Sequence, residues 1–153
     1  MSWTMRALDL GDDRTAEAVH RIGLLAYRVE ADLIGFDGIP ALHETLAEMR
    51  AEPLRWLGAV TPDGEPVAFL AWQRTPEGEV DIDRLCVDPA WFRKGLASAL
   101  VDEVLREDGP VVVSTGAANT PAITLYERKG FARTGTISPA PGLDLATFRL
   151  DRA

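Results

Sequence analysis

Cysteine is nearly absent from this sequence. Cys86 is the only one in 153 residues, which excludes an intramolecular disulfide and suits a reducing compartment. Histidine is almost as scarce: His20 and His43 stand apart from any ligand cluster of zinc spacing, so no metal site is expected. No run approaches the roughly 18 apolar residues of a membrane span. The opening "MSWTMRALDL" lacks a basic stretch leading into a long apolar segment, so no secretory signal is read there and the cytoplasm is the expected location. Positive charge is in deficit, with 16 Lys and Arg against 24 Asp and Glu and a net charge of −8. That balance disfavours nucleic acid and anionic membrane as partners, because both need basic surface to displace counterions. An acidic exterior instead suits a cationic partner such as an amine.

What is present reads as one folded unit. Hydrophobic residues at 46% and charged ones at 26% are globular values, and no repeat, low-complexity tract or linker divides residues 1–153. The pattern predicts a strand over 5–10 and a helix over 13–32 with Asp12 or Asp13 as its N-cap. "LIGFDGIP" breaks that helix, and a second is predicted over 41–52, ended by Pro53. Strand-like runs at 54–61, 66–74 and 79–87, joined by "PDGE" and "TPEGE", read as an antiparallel meander. A helix beginning at 96, an apolar strand at 110–116, a helix over 120–130 and strands at 130–137 and 143–151 complete the order β-α-α-β-β-β-α-β-α-β-β. The fold class is α/β, with a mixed, mostly antiparallel central sheet flanked by helices. The helical crossover after residue 87 makes the third meander strand and "VVVST" parallel neighbours.

Two stretches break the pattern. In 79–87, Val80 and Ile82 are apolar on one parity, and after Arg84 the parity switches to Leu85 and Val87. A regular strand cannot keep one face buried through such a switch. Either a β-bulge lies near Asp83 and Arg84, or the strand end is buried on both faces with Arg84 snorkelling. In "VDPAWFRKGLASALVDEVL", Arg93, Lys94 and Gly95 form a short cationic turn just before Leu96, Ala97, Leu100, Val101, Val104 and Leu105, which have helical spacing. Such a turn at a helix N-terminus suits an anion. No GxxxxGK[ST] pattern is present, so a Walker-type nucleotide loop is not the explanation.

"RLCVDPAWFRKGLASAL" and "NTPAITLYERKGF" together resemble the two signature motifs of the GNAT acyl-CoA N-acyltransferase family, in the right order and with a short apolar strand between them. The family's loop reads Gln/Arg-x-x-Gly-x-Gly/Ala. Here Gly95 and Ala97 match, while Phe92 stands at the Gln/Arg position. The resemblance covers about residues 80–135. It implies an acetyl-CoA-dependent N-acetyltransferase with a splayed central strand pair and direct attack of a primary amine on the thioester. By the same resemblance Arg93, Lys94, Gly95, Leu96, Ala97 and Ser98 would hold the pyrophosphate. Leu85, Cys86 and Val87 would meet the pantetheine arm, with the Val87 N–H polarising the acetyl carbonyl. Asn119 would touch the cofactor arm or cap its helix, and Tyr126 would serve as acid to the departing sulfur, since a phenol stays protonated at neutral pH. For the base, Asp81 is preferred over Asp83 by position, with water as the alternative. Residues 27–42, with Tyr27, Glu30, Asp32, Phe36 and Asp37, offer walls for an acceptor, either a small-molecule amine or a peptide N-terminus. A homodimer is compatible with the sequence. The rival reading is a catalytically silent acyl-CoA-binding sensor with the same fold.

Overall fold

The structure is a computed structural model that describes residues 2–152. Its centre is a seven-stranded sheet in the order β1-β2-β3-β4-β5-β7-β6. The strands are β1 (Thr4–Leu8), β2 (Arg55–Val60), β3 (Pro66–Arg74), β4 (Val80–Val87), β5 (Val111–Gly116), β6 (Ala132–Ala140) and β7 (Leu143–Leu150). Every neighbouring pair is antiparallel except β4 and β5, as the crossover helix requires. β7 lies between β5 and β6, an order that the sequence pattern did not indicate. Among the described residues, no helix is long and apolar enough to cross a membrane.

Helices cover both faces. α1 (Asp13–Ile34) starts where the Asp12 carboxylate accepts the Thr15 N–H and ends at Gly35 in the left-handed conformation. It lays Ala16, Val19 and Ile22 against Trp56, Phe69, Ala71 and Cys86. On the opposite face α3 (Leu96–Val104) and α4 (Thr120–Arg128) cover Val80, Ile82, Val111, Val113 and Phe148. Leu96, Leu100, Val101 and Val104 of α3 are at most 2% exposed, and burying each such side chain contributes about 1.5–3 kcal/mol.

The helix predicted over 41–52 is two shorter pieces. Pro40–His43 make a 3₁₀ turn, and α2 spans only Leu46–Ala51. Thr45 divides them: its hydroxyl accepts the Glu48 N–H while the Glu48 carboxylate accepts the Thr45 N–H, a reciprocal cap that starts a new helix.

The irregularity in β4 is a bulge. Ala71 pairs with Arg84 but Trp72 pairs with Ile82, so Asp83 is the additional residue. The additional residue keeps one face of β4 inward although the sequence parity switches. Val80 and Ile82 belong to the core under α3 and α4, and Leu85 and Val87 pack against that same core. Cys86 points to the α1 side.

Candidate active site

The bulge coincides with an opening in the sheet. β4 and β5 pair only at Val80, Asp81 and Ile82, opposite Val111, Val112 and Val113. Beyond Ile82 the strands part, while β4 stays paired to β3 as far as Val87 and β5 stays paired to β7 as far as Gly116. The Asp88 N–H donates to the Val67 carbonyl at 2.9 Å. Counting back along the antiparallel alternation, Cys86 turns its main-chain groups to β3, and Leu85 and Val87 turn theirs into the gap. Two of the three residues expected to meet a pantetheine arm therefore present backbone groups there. Cys86 instead contributes its side chain, with the thiol pushed up to about 12 by burial and so kept protonated.

One end of the gap meets the start of α3. Gly95 is the N-cap, with φ of 78° and no side-chain cap, and Arg93 also has positive φ, at 62°. A non-glycine residue in that region costs about 1–2 kcal/mol, so the turn is held in an unfavourable shape. The first intrahelical bond runs from the Ala99 N–H to the Gly95 carbonyl at 3.0 Å. The N–H groups of Leu96, Ala97 and Ser98 thus point outward without helical partners. A Cβ built on Gly95 would meet nothing within 4 Å, so glycine here serves the backbone angle and close approach rather than packing.

A cavity of about 520 Å³ follows this gap. Its walls include Cys86, Val87, Arg93, Gly95, Leu96 and Ser98, together with the exposed apolar side chains of Val29, Leu33 and Phe92. Phe92, at the usual Gln/Arg position of the loop, is 43% exposed there. Trp91 lines the same cavity.

A second cavity, of about 620 Å³, lies against α1 and the segment leading into α2. Tyr126 lines it from α4. The Tyr126 ring is 3% exposed and fixed edge-on by Phe131 at 5.4 Å. Burial raises its phenol well above the ordinary value, and the nearby Glu30 carboxylate adds to that. Gly130, with φ of 94°, follows the helix end and returns Phe131 to the core. Asn119 borders both cavities and is also the N-cap of α4, accepting the Ala122 N–H at 3.3 Å and donating to Thr115 Oγ1 at 3.4 Å. Tyr27 and Glu30 face both cavities too.

Asp32, Phe36 and Asp37 are not on these walls, and neither is Asp81. Burial, then the charges of Asp83 and Glu79, raise the Asp81 carboxyl from its usual value, but its place is beside the paired part of β4.

The sequence reading missed the second cavity's strongest charge cluster. Arg84 donates to both carboxylate oxygens of Glu44, at 2.5 and 2.9 Å, and to Asp83 at 2.9 Å. Its guanidinium sits over the Trp56 ring, 5.6 Å from the centroid. Arg84 and Glu44 side chains are 8% and 13% exposed. Burial opposes the charge on Arg84, yet the bonds to Glu44 and Asp83 outweigh it and keep the guanidinium ionised. His20 Nε2 lies 2.9 Å from the Glu44 carbonyl, holding the same residue from α1. The available signal was the parity switch itself: once a bulge turns Arg84 inward, a buried cation needs a carboxylate.

Known proteins fit this geometry. The sequence model of the acetyltransferase (GNAT) domain matches residues 56–133. The UPF0157 protein YqkA of Bacillus subtilis is 36% identical over 138 residues, 88% of this chain, but the chain spans only 40% of that protein's length. The peptidyl-lysine N-acetyltransferase YjaB of Salmonella typhimurium is 30% identical over 122 residues, covering 80% of this chain and 72% of the relative. The crystal structure of the ribosomal-protein-S18-alanine N-acetyltransferase of Escherichia coli superposes with a TM-score of 0.73 at 21% identity, covering 98% of this chain and 94% of that one. With the parted β4–β5 pair and the open N-terminus of α3 already in place, these matches put the chain in the GNAT family of N-acetyltransferases.

Proposed function

We propose that this chain transfers an acetyl group from acetyl-CoA directly to a primary amine. The observation that carries the reading is the opening between β4 and β5, with Leu85 and Val87 main-chain groups turned into it and an uncapped helix at its end. The donor set fits the cofactor's chemistry. The outward N–H groups of Leu96, Ala97 and Ser98, with Arg93 and Lys94 beside them, suit a pyrophosphate. The free groups of Leu85 and Val87 suit the amides of an extended pantetheine arm, as a strand pairs with a strand edge. When bound, acetyl-CoA supplies an acetyl group activated as a thioester.

The protein's own contributions then divide by position. The Val87 N–H, fixed by the β3 pairing, donates to the acetyl carbonyl oxygen and stabilises the charge that develops there. Tyr126 holds a proton for the departing sulfur. Its raised phenol keeps that proton at neutral pH, and the packing of Phe131 and Phe148 fixes the ring. Asn119 combines its cap with a place on the cofactor side. Asp83 lines the acceptor cavity but is tied to Arg84, and Asp81 stands outside it, so neither is well placed to accept a proton.

The acceptor cavity carries Glu30, Glu44, Glu48, Glu52 and Asp83 against a single Arg84, which favours a cationic amine, whether a small molecule or a peptide N-terminus. A silent CoA-binding module accounts for the cofactor cleft but gives no role to a buried tyrosine facing a second, acidic chamber. The two readings separate in a thiol-release assay with acetyl-CoA and a panel of spermidine, lysine amide and short peptides. Saturable release with at least one amine is expected. Binding of acetyl-CoA in calorimetry with no release from any amine would overturn the transferase reading.

A further inference from the structure

Tyr27, Glu30, Leu85, Asn119 and Ala122 belong to the walls of both cavities, and Glu30 is the charged residue among them. Its position is set by the backbone behind it. Gly116 at the end of β5 lets α1 come close: a Cβ there would lie 3.5 Å from Glu30 Oε1 and 2.9 Å from Ile34 Cγ2. Glu30 therefore stands where β5 runs on without β4, at the junction of donor and acceptor chambers. The other acceptor-side carboxylates are committed or peripheral. Glu44 and Asp83 bond Arg84, Glu48 closes the reciprocal cap with Thr45, and Glu52 is exposed. Glu30 enters no ion pair among the described residues.

We propose that Glu30 is the group that takes the proton from the acceptor's ammonium. This rests on the reading of the site as an acetyltransferase. An alkylammonium has a pKa of about 10, so a base must act before nitrogen can attack at neutral pH. The ammonium gives one proton to the Glu30 carboxylate. The neutral nitrogen then forms the C–N bond with the acetyl carbon as the C–S bond breaks. The sulfur leaves with a proton from Tyr126, which recovers one from the nitrogen, and Glu30 returns its own to solvent. The sum is ammonium plus thioester giving amide, thiol and one proton.

The surroundings suit the role. Asn119 and the Gly116 main chain bond Glu30, its charge reaches Tyr126 and Cys86, and Tyr27, Glu44, Asp83 and Arg84 line the same cavity. Burial raises the Glu30 carboxyl above its usual range, while hydrogen bonds from the Asn119 side chain and the Gly116 main chain draw it part of the way back. A carboxylate of raised basicity is better matched to a proton donor. Its negative charge in turn helps Tyr126 stay protonated, so acid and base are driven apart by the same proximity.

The test is the pH dependence of kcat/KM for the amine that the panel identifies, in wild type, Glu30→Gln and Glu30→Asp. At pH 7 Glu30→Gln should lose about 10²- to 10³-fold, and Glu30→Asp should recover part of that. The deficit should shrink as pH approaches about 10, where the amine is neutral unaided. Acetyl-CoA affinity by calorimetry should stay within about twofold of wild type, since only the proton-accepting group has changed. Thermal unfolding supplies a separate readout. A carboxyl raised by burial is destabilising when ionised, so the gain in Tm of Glu30→Gln over wild type should be larger at pH 8 than at pH 4. A Glu30→Gln enzyme equal to wild type at pH 7, or one with the same deficit at pH 7 and pH 10, would overturn the assignment while leaving the transferase intact. No thiol release by wild type would bring down the transferase reading, and Glu30's role with it.

Discussion

The two cavities that meet at Glu30 are built from different material. The one at the start of α3 combines main chain with apolar side chains: an uncapped helix start, two positive-φ positions and the free edge of β4, with Leu33, Trp91 and Phe92 around them. The one against α1 and α2 is shaped by charged side chains, foremost the buried Arg84–Glu44 pair that ties the α2 approach to the sheet. On the proposed reading, main-chain geometry would recognise what every acyl-CoA shares, whereas side-chain charge would select the acceptor. A variant in one cavity should therefore spare the other, and each prediction below tests that separation.

The largest break is expected from Tyr126→Phe. The ring and its packing stay while the proton goes, so kcat should fall about 10²- to 10³-fold with acetyl-CoA affinity within about twofold of wild type. Equal losses in turnover and affinity, measured by thiol release and calorimetry, would show that the chambers do not act independently. Next comes Glu44→Gln. Removing one partner of a buried pair is strongly destabilising, but Arg84 keeps Asp83 at 2.9 Å, so a loss of about 3 kcal/mol is expected, or roughly 6–12 °C in Tm for a chain of this size. The acceptor KM should rise with it, while acetyl-CoA affinity measured below the transition should hold. The smallest effect belongs to Gly95→Ala. A methyl group meets no steric clash there, but the left-handed angle costs about 1–2 kcal/mol and must be restored on binding, raising the acetyl-CoA Kd about 5- to 30-fold. At saturating acetyl-CoA, kcat should match wild type. A change confined to the acceptor KM would invert the assignment of the two chambers.

The same division decided what could be read from sequence. Gly95, Ala97 and the cationic turn were legible because backbone geometry leaves its mark as residue type at fixed spacing. Val80, Ile82, Leu85 and Val87 mark an irregularity because burial enforces parity, but the pattern alone leaves open both a bulge and a strand end buried on both faces. Tyr126 and Asn119 rest on the resemblance of "NTPAITLYERKGF" to the family's second motif, and both lie on cavity walls. The acceptor side was harder. Glu44 and Arg84 are 40 residues apart, and no local pattern links them. Asp81 and Asp83 differ by the one bulged position that sends only Asp83 to the wall, which spacing alone does not resolve. Tyr27 and Glu30 were selected for chemistry and do line the site, whereas Asp32, Phe36 and Asp37, selected on the same grounds, do not, because helix phase and the turn at Gly35 carry them away. The division at Thr45 escaped notice because a reciprocal cap inside a helical pattern looks like two ordinary polar residues.

The additional residue in β4 has a consequence for how such a protein can change over generations. Asp83 marks where β4 leaves β5 and, by the same shift, where Arg84 turns inward to hold Glu44. A deletion that restored a regular strand would close the gap beside β5 and take Arg84 away from Glu44 in a single step. Residues 37–48 are held by Leu42 and Leu46 packing inward, by His20 at the Glu44 carbonyl and by Arg84 at its carboxylate. On the proposed reading, substitutions in that segment would alter acceptor preference one at a time, whereas a change at Asp83 would disturb both chambers together.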